Sequence, residues 1–143
     1  MWYLYAITAS IFWGIDYALT GEVLKSIQSS TLLTVELFIG FLVMLVITVV
    51  SGACRTDVPK LLSSNRISLF VLFTVISFII GLICITESIG EQNATLAGLI
   101  EISYPLFIVI FSWFFFKDSN ISVGTAIGGA CIIIGVAIIL VFN

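Results

Sequence analysis

Three carboxylates stand inside apolar runs of this chain: Asp16, Glu36 and Glu101. A charge at the centre of a membrane-spanning segment costs on the order of 3 kcal/mol to insert, so such a group faces protein or water and marks a functional site. Glu101 lies near the middle of the run from Asn93 to Lys117, about eight residues from its start and therefore roughly 12 Å deep at 1.5 Å per residue. Asn93, Ala97, Glu101 and Tyr104 fall along one helical face of that run, which ends at Pro105. The proline removes a backbone donor and places a hinge one turn from the charge. Trp13 and Tyr17 are one turn apart in the first apolar run, beside Asp16. Aromatic faces attract cations by about 0.5 to 2 kcal/mol each. Such residues suit the capture of a small polar or cationic solute: Glu101 and Glu36 as the charges, Trp13, Tyr17 and Tyr104 as the walls, and Asp16 and Asn93 on the lining. Proton relays in membranes run on carboxylates of this kind, so Glu101 is also a candidate carrier of a coupling proton. Asp16, close to the end of its run, either lines the cavity or snorkels to the interface.

Helices must position these groups. With 61% hydrophobic and 9% charged residues, no histidine and a mean hydropathy of +1.29, the 143-residue chain cannot cover a soluble surface. Barrel strands would alternate apolar and polar residues, whereas these runs are continuous, which predicts an all-α membrane protein. Five transmembrane helices are expected, at about 2–20, 31–50, 67–86, 93–116 and 121–142, in a single domain over 1–143. The apolar amino-terminal run lacks a basic leader and carries Asp16, so it reads as a mature helix and not as a cleaved signal. The segment from Gly52 to Arg66 reads as the one substantial polar loop, and Lys117-Asp118-Ser119-Asn120 as a turn. In the last span Gly124, Gly128, Cys131 and Gly135 form a small-residue stripe for close helix packing, within the chain or with another.

Alternation across five spans puts Arg55, Lys60, Arg66 and Lys117 on one side and Lys25 alone on the other. The positive side is cytoplasmic, so the expectation is a multi-pass protein of the cell membrane with its amino terminus inside and its carboxy terminus outside. Most carboxylates then fall in the outer half, as an acidic funnel opening outward. Enzyme chemistry is not expected, for the chain has no histidine, no nucleophile paired with a base and no phosphate-binding glycine loop. Cys54, Cys84 and Cys131 have no paired spacing, so neither a disulfide nor a metal site is expected, and no cofactor. The acidic balance, without a basic patch, excludes nucleic acid as a partner.

The chain resembles a five-span EamA-type domain of the drug/metabolite transporter superfamily over nearly its whole length. The resemblance rests on Phe12-Trp13-Gly14 with Tyr17 in the first span, Tyr104-Pro105-Leu106-Phe107 in the fourth, and the final pattern from Ile127-Gly128-Gly129 to Ile134-Gly135-Val136. It implies a carrier of small metabolites or drugs, working by alternating access and built from two such domains in inverted orientation. One domain is half of that inverted repeat, which implies a homodimer or pairing with a second half-transporter in the bilayer. Glu36 stands where the family often has an arginine, and Lys117-Asp118 where it often has a glutamate, so the substrates of typical members are not carried over. The small multidrug resistance proteins, cation/proton antiporters, are relatives by the same resemblance, with Asp16 as the nearest match to their single membrane glutamate. A membrane subunit without transport activity, assembling with a larger partner, is the reading from another class.

Overall fold

Apolar runs in lipid must satisfy their backbone groups internally. The computed structural model, which describes residues 1–117 and 122–142, is helical throughout those runs. Its elements are α1 Trp2–Val23, α2 Ser29–Val50, α3 Ala53–Ser63, α4 Asn65–Glu91, α5 Ala94–Glu101, α6 Tyr104–Phe116 and α7 Val123–Phe142. The turn expected at Lys117-Asp118-Ser119-Asn120, and Ile121 at the start of the last expected span, lie outside the described residues except for Lys117. That lysine ends α6 in a left-handed conformation with φ of 57°.

Three expectations fare differently. Four of the five expected spans are long and apolar enough to cross a membrane among the described residues: α2, α4, α5 with α6, and α7. α1 has the 22-residue length of α2, but Trp13, Asp16 and Tyr17 along it dilute its apolar character. The expected polar loop at 52–66 is instead the helix α3, entered through Gly52 at φ of 75°, a conformation that glycine adopts without strain. Thirdly, the expected continuous span 93–116 is two helices. Pro105 has no N–H for the carbonyl of Glu101, and its ring crowds that carbonyl. The chain therefore tightens: the Ser103 N–H bonds the carbonyl of Ile100 at 3.1 Å and the Leu106 N–H that of Ser103 at 3.0 Å. α5 ends at Glu101, and Pro105 becomes the second residue of α6.

The core is small and sits at one end. Thr20, Leu33, Thr86, Ile89 and Ala97 are its buried residues, from the end of α1, the start of α2, the end of α4 and the start of α5. Close approach there depends on small side chains; a Cβ on Gly21 would lie 3.6 Å from that of Ala94. This is the acidic end, so the helices close together where the charge pattern predicts a funnel mouth. Toward the opposite end α2 keeps its apolar side chains exposed, up to 82% for Val50, a surface suited to lipid.

Candidate functional site

α1 separates two clefts. The first, about 700 Å³, lies between α1, α5 and the start of α6, and Trp13, Tyr17, Gly98, Glu101 and Tyr104 line it. Across it the Tyr17 hydroxyl donates to Glu101 Oε2 at 2.5 Å. That length belongs to the charge-assisted range of a hydroxyl on a carboxylate. The ring reaches α5 because Gly98, one turn before Glu101, has no side chain; a Cβ there would sit 3.3 Å from Tyr17 Cδ2. Trp13 meets Tyr17 edge-on, with centroids 5.7 Å apart. Glu101 is thus half-buried, held by one neighbouring helix and open to the cleft on its other side, at the last residue before the break.

The second cleft, about 860 Å³, lies between α1, α2 and α4 and holds Asp16 and Glu36 among Phe12, Trp13, Gly40, Phe41 and Phe78. A smaller groove of about 270 Å³, with Ser30, Thr34 and Glu87 on its walls, adjoins it through Leu37 and Leu82. Glu36 therefore does not share a cavity with Glu101, as the sequence suggested; it shares one with Asp16. The turn geometry of α1 explains the division: Asp16 and Tyr17 are adjacent residues and so point about 100° apart, one toward α2 and the other toward α5. Asp16 lines the second cleft. Trp13 lines both.

Asn93 is occupied elsewhere. Its Oδ1 accepts the Leu96 N–H at 2.8 Å as the N-cap of α5, and it lines neither large cleft. Among the described residues, a Cβ added to Gly128 or Gly135 would meet no atom within 4 Å, and one on Gly124 would lie 3.7 Å from Ser122 Oγ. The inward face of α7 is one residue on, at Gly129, where an added Cβ would come within 2.9 Å of Leu106 Cδ2. Sequence reasoning missed Gly98 and Ser10 as cleft residues. Gly98 was within reach, since a glycine one turn from a membrane carboxylate is what lets an aromatic ring approach it. No group of three or more metal-ligating side chains forms among the described residues.

A carboxylate and three aromatic side chains around an open cleft, with a helix break at the carboxylate, can hold a cation and alter helix geometry as it comes and goes. No curated protein and no solved structure matches the chain. The family comparison does give a match, extending through both clefts and all the helices that form them: residues 1–141 fit the EamA-like transporter family, and the chain belongs to it.

Proposed function

We propose that this protein is a secondary transporter of a small polar or cationic solute, working by alternating access with Glu101 as the binding carboxylate. The observation that carries the proposal is the Tyr17 to Glu101 hydrogen bond in an aromatic cleft at a helix break. Trp13 and Tyr104 supply cation-attracting walls, and Pro105 fixes the hinge position. α1 is the fifth span, with Ser10 and Tyr17 turned into the first cleft and Asp16 into the second. Asp16 and Glu36 act from the second cleft, and proton coupling falls to these membrane carboxylates. The basic residues Arg55, Lys60, Arg66 and Lys117 set the amino terminus inside and the carboxy terminus outside. The protein works as a homodimer or with a second half-transporter, joined through the α7 stripe, because the stripe finds no packing partner among the described residues.

Glu101→Gln tests this reading. Glutamine keeps the acceptor for Tyr17 but cannot ionise, so in proteoliposomes the variant is expected to insert and assemble normally while losing solute uptake by more than tenfold. Unchanged transport would reduce Glu101 to a structural hydrogen-bond acceptor. The same free stripe favours a second reading, a subunit that acts only by assembly; solute flux by the purified chain alone rules that out.

A further inference from the structure

α3 has no part in either cleft, and its surface is unusual for a connection. It joins the ends of two helices of spanning length, so it lies where the chain leaves the apolar layer. At about 100° per residue its side chains sort into arcs. Leu61 and Cys54 are half-buried on the side packed against α2 and α4. Next round the helix come Val58 and Leu62, 45% and 79% exposed, and then Arg55. Ser63, Thr56, Lys60 and Asp57 fill the opposite arc. The helix is pinned in this attitude: Ser68 Oγ, in the first turns of α4, donates to the carbonyls of Leu61 and Ser64, and Ser64 in turn caps α4. The apolar edge cannot turn inward.

A helix with an exposed apolar edge bordered by a cation is built to lie in the plane of a membrane interface. Charge then selects the lipid. Lys60 is taken by Asp57 at 3.1 Å, whereas Arg55 and Arg66 form no ion pair among the described residues. Arg66 stands over the Phe70 ring at 5.5 Å, Phe70 meets Phe116 edge-on at 5.9 Å, and the next residue, Lys117, stands over Trp113 at 4.6 Å. Cations seated on aromatic rings thus continue the rim from α3 to the end of α6, the combination that suits the headgroup level. We infer that α3 and this rim are a docking surface for anionic phospholipid, with Val58 and Leu62 in the acyl layer and Arg55, Arg66 and Lys117 on headgroup phosphates.

Native mass spectrometry of the full-length protein in detergent, offered phosphatidylglycerol and phosphatidylcholine in equal amounts, tests the charge half. Phosphatidylglycerol is expected to be retained preferentially. Each cation at an anionic surface is worth about fivefold in affinity, so the double variant Arg55→Gln, Arg66→Gln is expected to lose that preference by about 25-fold. Retention of phosphatidylcholine stays as it was, the double lysine variant keeps the preference, and Lys25→Gln, on the other side, changes nothing. Equal retention of the two lipids by the native protein, or an undiminished preference in the glutamine variant, overturns the inference. So does displacement by soluble glycerol phosphate, which would mean that the headgroup alone is recognised. The depth half is read in vesicles from a nitroxide on Leu62→Cys, with the native cysteines replaced. Collision with oxygen should exceed collision with a water-soluble nickel chelate; the reverse order takes α3 out of the membrane.

Discussion

Tyr17 and Glu101 stand 84 residues apart in the chain and meet through one hydrogen bond. Side-chain hydrogen bonds between membrane helices are worth roughly 0.6 kcal/mol, with an upper end near 1.7. Tyr17→Phe keeps the ring against Gly98 and Trp13, so it is expected to lower the thermal stability of the purified protein only slightly. The carboxylate, however, loses the donor that fixes its orientation. Solute affinity should then fall by more than the threefold or so that a loss of about 0.6 kcal/mol explains, while Tyr17→Ala, which also removes the ring, costs stability as well. Thermal melts and binding measured side by side on the two variants check this. An affinity unchanged in Tyr17→Phe would mean that the cleft orients Glu101 without its help.

The elements obey rules that the sequence exposes unevenly. Continuous apolar runs made the long helices legible: α2 begins and ends within two residues of expectation, whereas α4 runs five residues past its expected end, to Glu91. Pro105 announced an irregularity, but the break falls before it, because a missing N–H and a crowding ring act on the preceding turn. α3 was hidden because Arg55, Asp57, Pro59 and Lys60 read as loop composition, while its amphipathic order appears only when the residues are placed on a helix. The inward face of α7 stayed open in the sequence because Gly128 and Gly129 are neighbours, and composition cannot say which of two small-residue faces meets α6. Glu36 and Glu101 were joined in one cavity because spacing within a helix says nothing about which neighbour lies on each side. The capping role of Asn93 was not read from the sequence, which put it on the cavity lining: Asn93→Ala should remove the N-cap of α5 and cost about 1 kcal/mol, typical of such caps, without abolishing transport. A loss of solute binding with unchanged stability would return Asn93 to the binding site. In α3 the hydrogen bonds from Lys60 and Thr56 hold the Asp57 carboxyl below its ordinary value of 3.8. A depressed value means that this contribution is complete above the ordinary value and fades as the pH falls through the folded one. α3 helicity, followed by a label in Asp57→Asn and in the native protein, should differ above the ordinary value and converge in stronger acid.

Among the described residues, the few buried side chains gather at the acidic end, and α7 turns Gly129 toward α6 while Gly128 and Gly135 meet no neighbour. In the proposed dimer, two glycines one position apart therefore separate folding from assembly. Gly129→Leu would drive a side chain into Leu106 and should destabilise the single chain, in the range of about 1 to 3 kcal/mol typical of overpacking. At Gly128 an added Cβ meets nothing among the described residues, so the fold should survive Gly128→Leu, whereas a partner helix lying on the stripe would be pushed away and the proposed dimer lost. Single-molecule photobleaching in liposomes, counting chains per spot, distinguishes the two. Cys131 lies on the same stripe near the middle of α7 and is exposed, so a symmetric pairing brings it against its own copy whether the two chains are parallel or antiparallel. Gly124→Cys reports the orientation: close to one end of the helix, it meets itself only in a parallel pair. The proposed amino-terminus-inside arrangement predicts oxidative crosslinking at both positions. Crosslinking at 131 alone would make the pair antiparallel. Two chains per spot in Gly128→Leu, with no crosslink at 131, would move the interface off α7 altogether.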